Sequence, residues 1–288
     1  MFSLAKIVFP VDFSERSASA AGRVASLAAR FGSVVTILHV LPPPHYEFSA
    51  LEVGGTVLNE LFANRAKQVA QELEGYLAHA MRGVEVRRVL LEGDPARKIV
   101  EHAGAEGANL VVMPTHGYGS FRRFILGSVT AKVLHDADCP VWTGVHMEQA
   151  PSEQLDVRRI VCGLDLGPQS AKTLRWAGAM AKACEAALTV VHVVPAMAGS
   201  GEAAQSECAR EMREQASSAL ARVMEETGVR AEVEMAAGDA PKGVCALAGQ
   251  ARADLVVIAR GSAAGVFGRL RTNAYAIIRQ SPCPVVSV

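Results

Sequence analysis

The stretch THGYGSFRRFILGSVT, Thr115 to Thr130, follows the hydrophobic run Leu110-Val111-Val112-Met113 and carries three glycines and the pair Arg122-Arg123. Gly127-Ser128 opens onto a predicted helix, Val129–His135. The first backbone N–H groups of a helix have no intrahelical acceptor, so a helix start approached through glycines is a natural anion site. The two arginines add positive charge, and His116 lies in the same loop. Phosphate binding is the chemistry this spacing offers; the alternative is a turn whose glycines serve geometry alone. No GxxxxGK[ST] phosphate loop occurs in the chain, and no GxGxxG follows its first hydrophobic run, which argues against a P-loop and a nicotinamide site. No Ser-His-Asp set or paired carboxylates stand out, so nothing in the sequence demands catalysis.

The segments that must position this loop are written twice. KIVFPVD (Lys6–Asp12) returns as RIVCGLD (Arg159–Asp165), 153 positions later, and VTILHVLP (Val35–Pro42) returns as LTVVHVVP (Leu188–Pro195), aligning His39 with His192. Gly93-Asp94 is answered by Gly238-Asp239, ANLVVM (Ala108–Met113) by ADLVVI (Ala253–Ile258), and Cys139-Pro140-Val141 by Cys283-Pro284-Val285. The order is preserved, and each change of offset is a loop shortened in the second copy. The period is too long for a solenoid. Two homologous domains are expected, residues 1–146 and 157–288, joined by the polar stretch Gln149–Asp156.

Within each copy short β-rich runs alternate with helical patterns. KIVFPV, VVTILHV, ANLVVM and CPVWTGV are nearly continuously apolar, as parallel strands covered on both faces are, and VEVRRVLLE is a further β-rich run. Ala21, Val24, Ala28 and Phe31 follow helical spacing up to Gly32, a longer helix is expected over Asn59–Met81, and another over Pro95–Ala105 with proline at its first position. The fold class is therefore α/β: two repeated doubly wound domains, each with a five-stranded parallel sheet. Ligands of such sheets sit beyond the carboxyl ends of the strands, where the strand order switches. His39 and His192, which end apolar strands, read as satisfied structural histidines.

Composition narrows the partners. The chain has 288 residues, half of them hydrophobic, and 29 basic side chains against 29 acidic ones. That balance exerts no pull on nucleic acid or an anionic membrane, and the scarcity of aromatics argues against stacking on single strands. No run approaches the roughly 20 apolar residues of a membrane span, and MFSLAKIVFPVDF is too short for a signal peptide. Six scattered cysteines, none in a CxxC pair, suit reduced thiols in a cytoplasmic protein better than zinc or disulfides.

Taken together, KIVFPVDFSERS, the ILHVLPP strand ending, EGDPARKIVEHA and the G-x9-GS loop followed by CPV resemble the universal stress protein family, once per repeat and over essentially the whole chain. The resemblance implies a Rossmann-like, adenine-nucleotide-alpha-hydrolase-like domain acting as an ATP-responsive regulatory module in stress adaptation. Its cofactor would be ATP or another adenine nucleotide, with Mg as the accompanying ion. ATP-binding members use a G-x2-G-x9-G-[S/T] loop, an aspartate at the end of the first strand, and backbone near the second. Carried over, Asp12 (after Pro10) meets the nucleoside, Val11 and Val40 main chain meet adenine, Gly117 lies by the ribose, and Gly127, Ser128 and Val129 donate to phosphates.

The loop departs from the family pattern in two places: its second glycine is Gly119, leaving Ser120 at the motif position, and Pro114 stands where glycine is usual. In the second copy Leu164, Asp165 and Val193 correspond to Val11, Asp12 and Val40, Gly261 corresponds to Gly117, and Arg271-Thr272 replace Gly127-Ser128. A degenerate second site follows, with Arg271 in the phosphate position and Asp165 kept as a helix cap. The family also implies an internal pseudo-dimer of the two domains through their last strands (Cys139–Val145, Cys283–Val288), a further protein partner and a homodimer as the assembly to test. Two alternatives stay open: a nucleotide-free interaction scaffold, and a slow ATPase, for which no general base is evident.

Overall fold

A computed structural model describes residues 2–43, 55–115, 126–144, 157–195, 202–260 and 269–288. The chain divides into two compact units, one built on Ser3–Val141, the other on Asp156–Val288, the latter also taking in Phe2 and the segment that begins at Trp142.

In the first repeat β1 (Lys6–Pro10), β2 (Val34–Leu41), β3 (Glu85–Glu92), β4 (Leu110–Val112) and β5 (Val141–Thr143), the last of which passes into the other unit after Val141, take the order β3-β2-β1-β4-β5, and α1 (Glu15–Phe31), α2 (Gly55–Gly75), α3 (Pro95–Glu106) and α4 (Ser128–Asp136) connect them. The second repeats this with β6 (Arg159–Gly163), β7 (Ala187–Val194), β8 (Glu232–Ala237), β9 (Leu255–Ile258) and β10 (Val285–Ser287), ordered β8-β7-β6-β9-β10. Its helices are α5 (Ser170–Cys184), α6 (Glu202–Thr227), α7 (Ala240–Gln250) and α8 (Arg269–Gln280). The pairings β1 to β2, β2 to β3, β1 to β4 and their counterparts in the second unit are parallel, as the doubly wound reading expects. Consecutive residues of a strand face opposite sides of the sheet, and Ile7 to Phe9 and Leu110 to Val112 are all buried. Both faces of the central strands are thus covered, which is why these strands read as unbroken apolar runs. The order also leaves a switch between β1 and β4, since the chain runs outward through β2 and β3 and then returns to the other side of β1.

Helix ends are set by local chemistry. α1 starts at Ser14, whose hydroxyl accepts from Ser17 N–H, and α3 starts at Asp94, which accepts from Arg97 N–H and is followed by Pro95 at the first helical position. The helix expected over Asn59–Met81 instead runs Gly55–Gly75 and gives way to turns over 76–83. Arg88 of β3 is the reason: its guanidinium donates to the Leu73 and Tyr76 carbonyls at 2.9 and 3.2 Å, satisfying the last acceptors, and Leu77 then takes φ 60°. The fourth strand is shorter than ANLVVM, and α4 is one residue longer at each end than Val129–His135.

The repeat holds a natural comparison at one helix end. α1 closes on Gly32 at φ 62°, whereas its counterpart at the end of α5 is Glu185 at φ 56°. Left-handed backbone costs an L-residue about 1 kcal/mol that glycine does not incur. Nothing lies within 4 Å of a Cβ built at Gly32, so conformation alone decides the effect. Gly32→Ala should lower the stability of the first unit by about 1 kcal/mol, and Glu185→Gly should raise that of the second by a similar amount. Urea unfolding of each variant, followed by probes in both units, checks the opposite signs.

Candidate functional site

A cavity of about 670 Å³ opens at the carboxyl ends of β1, β2 and β4 in the first unit, at the switch in strand order. It is built from both ends of the sheet connections, and each wall has its own cause.

The first wall is the end of β1. Pro10, Val11 and Asp12 line the cavity, and the chain then turns sharply at Phe13, whose φ of 61° is unusual for a bulky residue. Asp12 Oδ1 fixes this turn by accepting from Ser14 N–H (3.1 Å), Ser14 Oγ (2.6 Å) and Ser17 Oγ (2.7 Å). The carboxylate is therefore held in one orientation at the cavity edge. Phe13 packs against His39 and, edge to face, against Tyr76, with ring centroids 4.7 Å from each.

The second wall is the end of β2, where one hydrogen bond changes what the sheet offers. Val11 N–H donates to the Leu38 carbonyl at 2.8 Å, the last rung between β1 and β2. Were the ladder to continue, the Val11 carbonyl would accept from Val40 N–H. His39 Nδ1 takes that carbonyl instead, at 2.8 Å, and because a carbonyl only accepts, Nδ1 carries the proton. Gly93 N–H donates to the Leu41 carbonyl, so alternate residues of β2 face β3, and Val40 between them turns its N–H and C=O toward the vacated space beyond β1. No described residue supplies a partner for either group. The sheet edge thus presents one donor beside one acceptor to the cavity. Burial lowers the His39 pKa below its ordinary 6.5, against the hydrogen bond to Val11 and the nearby Asp12, which raise it.

The third wall is the start of α4. Gly127, Ser128 and Val129 line the cavity. Gly127 N–H is already engaged by the Thr115 carbonyl (2.8 Å), and Thr130 Oγ donates to the Pro114 carbonyl (3.1 Å), which pins the helix start to the end of β4. The first intrahelical bond is Ala131 N–H to the Gly127 carbonyl, so the amides of Ser128, Val129 and Thr130 precede the ladder. Gly127 has φ −59°, an angle open to any residue. Gly117, Gly119 and Ser120, with His116 and the two arginines, lie outside the described residues.

α2 adds residues that the motif reading did not include. Arg65, Val69 and Glu72, spaced four and three apart on one helical face, line the cavity opposite β2. The helical spacing was visible; that this face closes the cavity was not, because the loop before α2 carries no signal of where it returns.

The second unit repeats the frame with different contents. Leu164 N–H donates to the Val191 carbonyl (2.9 Å), His192 Nδ1 donates to the Leu164 carbonyl (2.8 Å), and Gly238 N–H donates to the Val194 carbonyl (2.8 Å). Leu164, Asp165 and Val193 line a cavity of about 260 Å³. Asp165 does not cap α5: its Oδ1 accepts from Gly167 N–H (2.9 Å) and Ser170 Oγ (3.3 Å), while the helix starts beyond Gln169 without a side-chain cap. In the first unit too the cap is Ser14 rather than the aspartate, and Gly167, which stands where Ser14 does, lacks the capping hydroxyl. Gly261 lies outside the described residues, and of Arg271 and Thr272 only their place in the first turns of α8 is described.

Among the described residues no cluster of His, Cys, Asp or Glu is placed to hold a metal ion, and no helix is long and apolar enough to cross a membrane. All six cysteines are free thiols; burial pushes Cys162 up to about 12 and Cys245 up to about 11, which leaves neither as a thiolate nucleophile.

Comparison with known proteins identifies the family. The sequence model described as the universal stress protein family matches residues 4–143 and again 156–288. Universal stress protein MJ0531 of Methanocaldococcus jannaschii is 32% identical over 136 residues, covering 47% of this chain and 79% of its own. Universal stress protein YxiE of Bacillus subtilis is 29% identical over 141 residues, covering 47% and 95%. Among solved structures, a universal stress protein from Archaeoglobus fulgidus superposes with a TM-score of 0.68 at 22% identity, covering 99% of this chain and 96% of that one, which shows the shared fold.

The histidine rung can be tested directly. His39→Leu strands the buried Val11 carbonyl and should cost the first unit about 1–3 kcal/mol, and His39→Asn, whose amide can donate to the same oxygen, should cost less. Because the folded-state pKa is depressed, the unfolded chain binds the proton first as pH falls below 6.5, and stability is lost over that interval. Urea unfolding from about pH 7.5 to about 5.5 should show this loss in the wild type and a smaller one in His39→Asn.

Proposed function

The chain belongs to the universal stress protein family in both of its halves, and from that premise we propose that its first half holds an adenine nucleotide and that the protein is an ATP-responsive module of stress adaptation. One observation carries the reading: a cavity of about 670 Å³, within the size range of ligand sites, brings together an oriented carboxylate with a main-chain edge and helix-start amides that have no partner among the described residues. These match the three parts of a nucleotide. The Val40 N–H and C=O suit the N1 and 6-amino edge of adenine. Asp12, its Oδ1 held by Ser14 and Ser17, suits the ribose hydroxyls. The amides of Ser128, Val129 and Thr130, with the positive end of the α4 dipole, suit the phosphates.

Two roles shift in this reading. The Val11 main chain is spent on Leu38 and His39, so the base contact falls to Val40. Gly127 N–H is spent on Thr115, so the phosphate donors begin at Ser128. Magnesium would ride on the phosphates. Free cysteines and the apolar, uncharged balance of the chain favour a cytoplasmic setting. The tandem repeat favours pairing of the two halves within one chain, as an internal pseudo-dimer that a further protein partner reads.

The second half is the weaker nucleotide site. α8 begins at Arg269, so Thr272, the counterpart of Ser128, stands three residues inside the helix and its N–H falls within the ladder. Calorimetric titration with ATP and magnesium should give about one site per chain. Gly127→Arg should abolish that binding and Arg271→Ala leave it largely unchanged. Asp12→Ala, with its fold checked by circular dichroism, should weaken ATP by about tenfold or more, the loss expected for a hydrogen bond to a charged group. A wild-type chain that takes up no ATP at millimolar concentration, and releases none when denatured after purification, would overturn the reading.

A further inference from the structure

We infer that β8, the edge strand of the second half, is a docking surface for an extended basic segment of another protein, taken up antiparallel as one more strand. The inference does not rest on nucleotide binding in either half.

The main chain of β8 is open along its outer side. β8 ends the order β8-β7-β6-β9-β10, and among the described residues it pairs with β7 alone, from Thr189 beside Glu232 to Val194 beside Ala237. Gly238 N–H donates to the Val194 carbonyl, and alternate residues of a strand turn their N–H and C=O groups the same way. Glu232, Glu234 and Ala236 therefore serve β7, and Val233, Met235 and Ala237 turn outward. None of these three has a main-chain partner among the described residues. An unpaired edge of this kind is a template for a further strand.

The side chains leave the edge bare as well. Glu232, Val233 and Glu234 are all exposed, Val233 to 41%, and consecutive residues face opposite sides of a strand. Both faces of the start of β8 thus stand clear of its helices. The matching β3 differs: Val86, Val89, Leu90 and Leu91 are half-buried, and the Arg88 guanidinium ties the strand to the end of α2. The cause lies in the connection before the strand. Residues 76–84 turn between α2 and β3, whereas 228–231 alone join α6 to β8. Arg175 of α5 holds the last turn of α6 through Glu226 at 2.7 Å, and a Cβ built at Gly178 of α5 would fall 2.7 Å from a Val229 methyl carbon. The short connection is drawn against α5, and it supplies no partner to the outward groups of β8.

Charge selects the occupant. Glu232 and Glu234 share one face of β8, about 7 Å apart, and neither makes an ion pair with a described residue. A second copy of β8 laid antiparallel across this stretch would set glutamate against glutamate, which is unfavourable. A segment with lysine or arginine at alternate positions answers both carboxylates. Its intervening residues then lie beside Val233 on the other face, where β-branched side chains pack well.

Fluorescence anisotropy of the full chain with an end-capped, labelled heptapeptide of alternating lysine and valine tests this. The wild type should take up about one equivalent, and a glutamate-valine peptide should not bind. Glu232→Lys combined with Glu234→Lys should weaken the lysine peptide at least about tenfold and admit the glutamate peptide instead. Val233→Pro removes one outward N–H and leaves the β7 rungs in place, since proline is tolerated on edge strands; it should weaken binding about fivefold or more. Its fold is checked by circular dichroism, and the two glutamate exchanges, both on the surface, stand as a second measure. A lysine peptide N-methylated at its valines, whose amides face β8 when its lysines face Glu232 and Glu234, keeps its charge and should not bind. No uptake of the lysine peptide at millimolar concentration, equal uptake of the glutamate peptide by the wild type, or binding that survives both Val233→Pro and N-methylation would overturn the proposal. So would a wild type that sediments as a dimer and becomes a monomer on Val233→Pro, which gives the edge to a second copy. No nucleotide enters the assay, so its result and that of the ATP titration stand or fall separately.

Discussion

An imidazole standing in for a sheet amide is the interaction on which the site geometry depends. A parallel ladder normally runs on until one strand diverges, and its main-chain groups find partners all the way. Here His39 and His192 each intercept the carbonyl that the next amide would have reached. The sheet therefore ends one rung early on one side only, and the displaced amide is left next to its own carbonyl at the mouth of a cavity. The turn at Phe13 and at Leu166, both with left-handed φ, carries the chain away from the gap before it can be refilled. Replacing a rung by a side chain costs the sheet little and leaves open an edge that main chain alone would close.

The two halves show how a repeated frame diverges without losing its fold. The strand order, the histidine rung and the carboxylate that braces the first turn are common to both. What differs lies at helix ends and single small residues. Ser14 caps α1 where Gly167 cannot cap α5; Gly243, the counterpart of Lys98, leaves no room for a Cβ against Val193; and α8 begins three residues earlier in register than α4. None of these exchanges touches the apolar strands at the centre of each half. Each changes what the mouth of the cavity can accept.

Much of this was legible in the sequence, and the reasons for the rest are physical. Continuous apolar runs such as ANLVVM announce strands buried on both faces, and repeated strand-helix order announces the doubly wound sheet. Caps at Asp94 and the close at Gly32 follow from residue type alone. The end of α2 did not, because it is imposed by Arg88 from a strand that comes later in the chain. The satisfied state of His39 was readable; its consequence for Val40 was not, since which way a strand residue turns its amide depends on pairing parity with both neighbours. Asp165 misled for a similar reason: its partners are fixed by what stands at Gly167 and Ser170, not by its own preference for helix starts.

Parallel pairing of the central strands has a consequence for how such a half comes into being. No strand can pair with its sequence neighbour through a tight turn, so each contact closes a long loop before any gain in burial is realised. The most distant is the seam between β1 and β4, Ile7 beside Leu110, which closes a loop of roughly 100 residues. Contacts of that separation form late and make folding slow. The cavity straddles this seam, with Asp12 on one side and the start of α4 on the other. It is thus absent from every partly assembled chain, and any molecule that bridges it acts as a clasp closed only on the finished protein, slowing its opening rather than speeding its assembly.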